Sequence, residues 1–392
     1  MLLGTYYQGV EIHREDKVIY ARLLAPHRVL STCGAAGGMR DDLDYLYNHQ
    51  SCEPHGHERP SHGWAWSDPE RYRRMTCQRY GLPDDRCAGL GTAADMLHAS
   101  IKVERFRDLE VVAVCTGGVE TNAGRAGDPA VVYETGGTFE RTDGSRFVEN
   151  GTINTLLFIN RELTPGAMVR AVITATEAKS ACLQELAVPS RYSDGLATGT
   201  GTDQIGIAAL LNTGIPLTCS GKHCVLGELI GKTVHDAVCE TLMLQNRLTP
   251  AGQCSAVVHL ERFGATERVL VEQIASHLSD SDGALLRQNF AEMERNPLVV
   301  AAVAALVHLR DKVVWGTLPP GCVPELWAAY GAQLAAAVSG NVSRTGAYHR
   351  ILAAAMHPFT NDGLITLTAH SLAVGFREKW SDTLIEEDPH ER

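Results

Sequence analysis

Short β-rich runs alternate with helical stretches up to about residue 250 of the chain. Residues 109–115 (LEVVAVC) form a continuous apolar run rich in valine, which is typical of a buried strand. Residues 17–24, 28–32 and 152–160 also show strand-forming patterns. Together with the helical stretches between them, these runs predict an α/β or α+β fold in which helices pack on a mixed sheet. The strand order is left open.

Helices of this part are indicated by their end signals. Residues 68–81 end in a glycine and are followed by Pro83, which predicts a helix that stops there. Thr164 is a suitable N-cap residue and Pro165 suits the first helical position, so a helix is expected to begin at this point. Residues 227–244 have a helical pattern as well.

After residue 250 the pattern becomes mostly helical. Residues 267–278 place apolar side chains on one face at four-residue spacing, and alanine-rich stretches follow at 301–309, 326–338 and 351–356. Residues 256–260 are predicted as a strand that joins the first unit. The pattern therefore predicts two domains, a catalytic domain over residues 1–250 and a helical C-terminal extension over residues 251–392, whose role the sequence does not indicate.

Composition narrows the class of protein. Of 392 residues, 44% are hydrophobic and 21% are charged, as in an ordinary globular protein. Lysine and arginine number 35 against 46 for aspartate and glutamate, which gives a formal net charge of −11. Because a negative field repels phosphate backbones, we expect no nucleic-acid partner.

The cysteines and the N-terminus indicate a cytoplasmic protein. The eleven cysteines are scattered and include no CxxC pair, which favours reduced thiols that serve mostly as small core residues. No basic stretch leads into an apolar run at the N-terminus, so no signal peptide is expected. The most apolar segment, residues 297–309, is too short to span a bilayer. We therefore expect a soluble protein with no membrane partner.

Residues 197–203 (ATGTGTD) form the densest polar motif of the chain. Glycines permit tight turns and let a ligand approach the backbone. Threonine hydroxyls and exposed N–H groups then make a cradle for a carbonyl oxygen, an oxyanion or a phosphate. A hairpin turn whose hydroxyls bond its own backbone is an equal alternative. No Gly-Lys-[ST] follows, so the motif is not a Walker loop.

A second polar cluster, residues 220–224 (SGKHC), stands immediately before a predicted helix that carries Glu228. Lys222 supplies a cation there, and His223 has the one side chain whose ordinary pKa suits proton transfer near neutrality. A structural role for this histidine and a functional role are equally open.

A glycine-rich loop, residues 116–128, directly follows the predicted strand at 109–115. Loops that leave a buried strand are common ligand sites in α/β proteins. Asn122 can both donate and accept hydrogen bonds, which suits substrate binding. Arg125 and Asp128 are further candidates, although they can instead pair with each other.

Histidines and a cysteine cluster between positions 49 and 62, namely His49, Cys52, His55, His57 and His62. Such groupings can hold a divalent metal, although the spacing matches no standard zinc pattern and the segment has the composition of a surface loop. A metal held by His49, His223 and a carboxylate is therefore kept as an alternative, and His49 is the only metal ligand assigned within this cluster.

Taken in order, these segments resemble the adenosylcobinamide amidohydrolase family over roughly the first 250 residues. The single motifs are weak, but their order along the chain is specific. The matching stretches are residues 26–31, 47–50, 116–128, 151–154, 177–179, 197–203 and 221–228.

The resemblance implies hydrolysis of the amide that joins aminopropanol to the corrin ring of adenosylcobinamide or of a complete cobamide. The products would be adenosylcobyric acid and 1-amino-2-propanol, and the reaction would serve corrinoid salvage in cobalamin biosynthesis. The implied partner is a small-molecule corrinoid, and a homo-oligomer is left open.

Amide hydrolysis needs a nucleophile, a base, an oxyanion stabiliser and an acid. Our hypothesis gives His223 the base and acid role, oriented by Asp203 or Glu228. The turn around Thr200 and Thr202 would stabilise the oxyanion or supply the nucleophile. The remaining candidates would bind substrate: Asn122, Arg125, Asp128, Asn154, Thr198, Lys222, and the pair Glu177 and Lys179, which a solvated helix face explains equally well.

Two alternatives belong to other classes. One is a corrinoid-binding or sensing protein that keeps the pocket without hydrolysis. The other is a nucleotide- or phosphate-binding enzyme that uses residues 197–203, which we call the Thr/Gly turn. The negative net charge of the chain and the missing Walker lysine both argue against this alternative.

Overall fold

The computed structural model describes residues 1–53, 60–130, 132–142 and 151–380. The chain divides into two units, Met1–Thr249 and Pro250–Arg392. The strands lie in the first unit and are β1 Leu2–Tyr6, β2 Val10–Glu15, β3 Val18–Leu23, β4 His27–Ser31, β5 Gly38–Arg40, β6 Tyr45–Gln50, β7 Cys87–Thr92, β8 Ser100–Phe106, β9 Leu109–Thr116, β10 Ala123–Gly124, β11 Val132–Thr135, β12 Thr138–Arg141, β13 Asn154–Ile159, β14 Gly199–Thr200 and β15 Gln204–Leu210.

The helices are divided between the two units. Those of the first unit are α1 Pro60–Ser67, α2 Pro69–Tyr80, α3 Pro165–Glu185 and α4 Val225–Asn246. Those of the second unit are α5 Ala256–Glu261, α6 Glu267–Ala275, α7 Asp280–Glu294, α8 Pro297–Val314, α9 Val323–Ser339, α10 Thr345–Ala355 and α11 Asn361–Lys379. The predicted strands at 17–24, 28–32, 109–115 and 152–160 correspond to β3, β4, β9 and β13.

The first unit is built on two mixed sheets. One has six strands in the order β5-β4-β15-β13-β9-β8, and the other has five in the order β1-β2-β3-β6-β7. The pairs β13–β15 and β6–β7 are parallel and the other pairs in these two sheets are antiparallel. The predicted fold class, helices packed on a mixed sheet with a helical C-terminal region, is confirmed.

The six-stranded sheet is buried on both faces, which explains the continuous apolar run of β9. Along β9, Val111 and Ala113 contact the core formed with α3 and α4. Val112 and Val114 point to the opposite side and join the core shared with the five-stranded sheet. Successive side chains of a strand alternate between faces, so a strand between two cores must be apolar throughout.

The long helix α3 begins where the sequence predicts it. The Thr164 side chain accepts a hydrogen bond from the Ala167 N–H, and Pro165 occupies the first helical position. One face of α3 is buried against the six-stranded sheet. The helix therefore has a fixed position, and its remaining face is available to carry polar side chains.

The second unit is helical throughout residues 250–380 and has a hydrophobic core of its own. The prediction of a strand at residues 256–260 is wrong, since these residues form α5. The Ser255 hydroxyl accepts a hydrogen bond from the Val258 N–H and caps the helix. Ala256 and Leu260, one helical turn apart, are both buried. A five-residue apolar run fits either a strand or a helix, and here the Ser255 cap favours the helix.

Two of the cysteines contradict the expectation of reduced thiols. Cys182 of α3 and Cys239 of α4 form a disulfide, with their Cα atoms 6.0 Å apart. They are 57 residues apart in sequence, so only the packing of α3 against α4 brings them together. The expectation of small core residues is confirmed for the buried free cysteines Cys33, Cys52, Cys77, Cys87 and Cys115. Within the described residues, every helix is too short or too polar to cross a membrane.

Candidate active site

The Thr/Gly turn connects β14 to β15 and is organised around the carboxylate of Asp203. Asp203 Oδ1 accepts hydrogen bonds from the Thr200 hydroxyl at 2.6 Å and from the Ile153 N–H at 2.9 Å. Asp203 Oδ2 accepts from the Thr200 N–H at 3.0 Å and from the ammonium of Lys179. The carboxylate thus fixes the turn and holds one hydroxyl hydrogen at the same time.

Lys179 reaches this carboxylate from the polar face of α3. The side chains of Lys179 and Asp203 are only 13% and 16% exposed, so their charges are partly removed from water. A β-carbon on Gly199 would overlap Asp203 Oδ2 and Lys179 Nζ, so any larger residue there would force the ends of these two side chains to shift. A charge-assisted contact with little exposure is stronger than a solvated surface pair.

The loop after β9 meets the turn through a short antiparallel ladder. Ala123 pairs with Thr200, and Gly124 pairs with Gly199. The buried Asn122 accepts a hydrogen bond from the Gly201 N–H at 3.2 Å. The two motifs that stand eighty residues apart in the sequence therefore form one structure.

A chain of hydroxyls lines the side of the turn next to β13. Asn122 Nδ2 donates to the Gly151 carbonyl at 2.7 Å and to Thr202 Oγ1 at 3.2 Å. Thr202 Oγ1 also lies 2.7 Å from Thr152 Oγ1 and 2.7 Å from the Gly151 carbonyl. These contacts orient both threonines, so the polar edge of the turn is preorganised.

A cavity of about 730 Å³, which we call the first cavity, opens beside the turn. This volume lies within the range of small-molecule sites. Eight of the residues singled out in the sequence line it: Asn122, Arg125, Asp128, Lys179, Thr198, Thr200, Thr202 and Asp203.

His223, Lys222 and Glu228 do not line this cavity. His223 is exposed, and among the described residues no hydrogen bond joins it to Asp203 or Glu228. Glu228 instead pairs with Lys232 at 2.5 Å. The orientation of His223 by either carboxylate, as our hypothesis has it, is absent from the structure.

Helix α3 explains this separation. Lys222 pairs with Glu177 at 2.6 Å, at a site where both side chains are exposed. Glu177 and Lys179 are two positions apart on α3, hence about 200° apart around the helix. The helix thus presents Lys179 to the turn and Glu177 to the surface segment at residues 220–224. Thr176, the neighbour of Glu177, does line the cavity.

Arg125 and Asp128 contact each other through the backbone. The Arg125 N–H donates to Asp128 Oδ2 at 2.7 Å, and the Ser190 hydroxyl donates to the same oxygen at 2.5 Å. Burial alone would raise the pKa of Asp128, but hydrogen bonds from Ser190, Ser193 and the Arg125 backbone outweigh it and lower that pKa. The loop keeps an ionised carboxylate at the rim of the cavity.

A family model described as adenosylcobinamide amidohydrolase matches residues 3–250. The chain belongs to this family. An uncharacterized protein of Methanocaldococcus jannaschii is 37% identical over 182 residues, which cover 45% of this chain and 71% of that protein. The adenosylcobinamide amidohydrolase family is a family of hydrolases, and its match includes every residue of the first cavity described above.

Asn154, another residue that the sequence predicts to bind substrate, does not line the first cavity and is fully buried. Its Nδ2 donates to Asn48 Oδ1 at 2.8 Å and to the Gly91 carbonyl at 2.9 Å. Asn48 Nδ2 in turn donates to Thr116 Oγ1 at 2.7 Å. Asn154 therefore links β13 to β6 and β7 and supports the walls of the site from behind.

The described residues do not have the geometry that the proposed metal site requires. His49 Nδ1 lies 2.5 Å from the Tyr72 hydroxyl, and His223 is exposed on the surface. No group of three His, Cys, Asp or Glu residues within the described ranges is arranged to hold a metal ion. His55 and His57 lie outside the described residues, as does the side chain of His62.

A second cavity of about 360 Å³ was not expected from the sequence. Gly151, Thr152 and Thr202 form its wall on the side of the turn, and Thr202 also lines the first cavity. The sequence signal that could have indicated this cavity is Gln204, a polar residue that follows Asp203 at the start of β15. Asp203, the last residue before β15, lines the first cavity, and Gln204, the first residue of β15, lines the second.

Proposed function

We propose that the protein hydrolyses the amide that joins aminopropanol to the corrin ring of adenosylcobinamide. The products are adenosylcobyric acid and 1-amino-2-propanol, and the reaction serves corrinoid salvage in the cytoplasm. Family membership supports this reaction. The observation that carries the proposal is the contact of Thr200, Asp203 and Lys179 in one cavity.

Thr200 is the nucleophile in this proposal. Its hydroxyl already donates to Asp203 at 2.6 Å, within reach for proton transfer. As Oγ1 attacks the amide carbon, Asp203 takes the hydroxyl proton and passes it to the departing nitrogen. The carbon–nitrogen bond then breaks, 1-amino-2-propanol leaves, and the acyl group remains as an ester on Thr200. Asp203 then takes a proton from water, whose oxygen attacks the acyl carbon of the ester. As the bond between this carbon and Oγ1 breaks, Asp203 returns the proton to Oγ1, which restores the threonine and releases adenosylcobyric acid.

Lys179 stabilises negative charge during both steps. Its ammonium contacts Asp203 and lines the same cavity, so it lies beside the site where the oxyanion develops. A partly buried cation acts more strongly there than a solvated one, because little water screens it. Asn122 and Thr202 hold the turn and offer polar contacts to the amide arms of the corrin.

A neutral or cationic small molecule suits this site better than a polyanion. The chain carries a formal net charge of −11, whereas the charged residues that line the cavity balance, with Asp128 and Asp203 against Arg125 and Lys179. The net charge of the chain argues against the nucleotide-binding alternative. An equilibrium titration with nucleotides tests that alternative directly.

The decisive experiment incubates the purified full chain with adenosylcobinamide and measures 1-amino-2-propanol and adenosylcobyric acid by mass spectrometry. We expect both products in equal amounts from the wild type. Thr200→Val keeps the shape of the side chain and removes the nucleophile, so we expect at least about a 1000-fold loss of turnover. Thr200→Ser, which keeps a hydroxyl, should retain measurable activity.

The outcomes separate the alternatives. Binding of adenosylcobinamide without any release of aminopropanol would support a corrinoid-binding protein instead of an enzyme. Full turnover by Thr200→Val would remove the hydroxyl from the mechanism and leave direct attack by water. Absence of both binding and release would reject the proposed substrate.

A further inference from the structure

The second cavity has the lining of a site for a planar aromatic group. Phe139, which is 52% exposed, lines it together with the side-chain amide of Gln204, whereas Tyr47 and Tyr72 contribute little open surface, at 1% and 6% exposure. Aromatic faces stack on planar heterocycles, and a side-chain amide can hydrogen-bond the edge of such a ring. Its volume of about 360 Å³ lies at the lower end of the range for small-molecule sites.

The polar group of this cavity is held in one orientation. Gln204 Oε1 accepts a hydrogen bond from the Gly91 N–H at 2.9 Å. The carbonyl side of the amide is thereby fixed, and Nε2 has no protein partner among the residues that the structure describes. Gln204 thus presents its N–H donors to the cavity, where the ring nitrogens of a nucleobase are suitable acceptors.

The aromatic wall is fixed as well. The Tyr72 hydroxyl contacts His49 Nδ1 at 2.5 Å, and both residues are buried. Phe139 differs, since it lies on the β11–β12 hairpin and is 52% exposed. The same hairpin borders both cavities, through Val132 at the first cavity and Phe139 at the second. The β11–β12 hairpin therefore contributes residues to both cavities.

We infer that the second cavity binds the adenosyl group of the corrinoid while the first cavity receives the aminopropanol amide. This assignment rests on the proposed function. In a cobinamide the adenosyl ligand and the aminopropanol arm project from opposite faces of the corrin ring. The two cavities meet at the turn, where Thr202 lines both, Asp203 lines only the first and Gln204 lines only the second. An edge of the ring placed against this turn directs the two groups into different cavities.

Equilibrium binding tests the inference without requiring turnover. Isothermal titration calorimetry measures the dissociation constants of adenosylcobinamide and of cyanocobinamide, which lacks the adenosyl group. We expect the wild type to bind the adenosylated form more tightly. Phe139→Ala removes one stacking face and should lower this preference about tenfold. Gln204→Glu keeps an acceptor for the Gly91 N–H and removes the donor, so it should lower the preference as well.

Tyr133→Ala is the matched control. Tyr133 lies on the same hairpin as Phe139, is 64% exposed and lines neither cavity, so this variant should keep the wild-type preference. Equal affinity of the wild type for both cobinamides, or an unchanged preference in Phe139→Ala, overturns the assignment. If neither cobinamide binds, the proposed substrate is rejected, and a titration with adenosine then tests the second cavity alone. Adenosine binding that Phe139→Ala weakens would support a nucleoside site in this cavity. No binding at millimolar adenosine would reject such a site.

Discussion

At the scale of single residues, two lysines near α3 distinguish a candidate catalytic contact from a surface one. Lys179 pairs with Asp203 where the side chains are 13% and 16% exposed, whereas Lys222 pairs with Glu177 at 65% and 47% exposure. Water screens the second pair strongly and the first pair weakly. The two ion pairs use the same chemical groups, so their surroundings decide what each contributes.

Replacing these lysines should give different results. Lys179→Met leaves the Asp203 carboxylate partly buried without its cation, and it removes the charge proposed to stabilise the oxyanion. We expect about a 100-fold lower kcat/KM and a loss of about 1–3 kcal/mol of stability. Lys222→Met should change kcat/KM less than threefold and stability by less than about 1 kcal/mol. Steady-state kinetics and urea unfolding measure both quantities, and similar effects of the two variants would contradict the assignment.

His223 gives a second test at this scale. The sequence hypothesis expects His223→Ala to lower turnover by orders of magnitude, because it gives this residue the role of base. The structure places the side chain in solvent and outside the first cavity, so we expect turnover within about threefold of the wild type. The measurement is the initial rate of aminopropanol release. A large loss with unchanged thermal stability would return His223 to the mechanism.

The difference between His223 and Lys179 shows what single-residue reasoning can predict. The residue types suited to amide hydrolysis were identifiable, and eight of the thirteen candidate catalytic and binding residues line one cavity. The direction of a side chain on α3 was not identifiable, because it depends on which face of the helix packs on the sheet. Glu177 and Lys179 are two residues apart, yet they pair with different segments.

At the scale of elements, end signals were more informative than apolar runs. Gly81 and Pro83 predict the end of α2, Thr164 and Pro165 predict the start of α3, and the continuous apolar run of β9 is explained by its position between two cores. The run at residues 256–260 was predicted as a strand but forms a helix, which Ser255 caps. The short ladder between β10 and β14 could not be predicted, since it joins two loops whose residues are separated by more than seventy positions.

The close approach of α3 to β14 leads to a prediction at this scale. Gly199→Ala adds a β-carbon that would overlap the Asp203 carboxylate and the Lys179 ammonium. We expect the ion pair to separate, with at least a tenfold lower kcat/KM and about 1–3 kcal/mol lower stability. Gly166→Ala, in the first turn of α3, meets no atom within 4 Å and is the control. Equal behaviour of the two variants in kinetics and unfolding would show that the contact tolerates the extra carbon.

At the scale of the whole molecule, the family match and the first cavity both belong to the unit Met1–Thr249. The second unit has its own core and also a cluster of imidazoles. The rings of His277 and His370 stack at 4.6 Å between centroids, and His370 Nδ1 lies 3.4 Å from His357 Nε2. This cluster was not identifiable from the sequence, because His277 and His357 lie just after α6 and α10, whereas His370 lies within α11.

This cluster predicts how the second unit responds to acid. Burial lowers the pKa of His370 from its ordinary 6.5 to about 4, with further lowering by His277, His357 and Arg377. The unfolded chain binds a proton below about pH 6.5, whereas the folded chain resists it until about pH 4. The stabilisation is therefore complete above pH 6.5 and is lost as the pH falls from 6.5 towards 4.

Hydrogen exchange measured by mass spectrometry can follow this loss in peptides of α9 and α11. In the wild type we expect the free energy of opening for these helices to fall steadily between pH 6.5 and pH 4.5. His370→Gln replaces the imidazole with a neutral side chain and should make that slope shallower, because one site that takes up a proton on unfolding is gone. Peptides of β9 and β13 in the first unit provide the internal reference at each pH. If the free energy of opening falls equally steeply with pH in His370→Gln, other groups control the acid response of the second unit. Protonation of the three imidazoles in close contact would then have no measurable cost in stability.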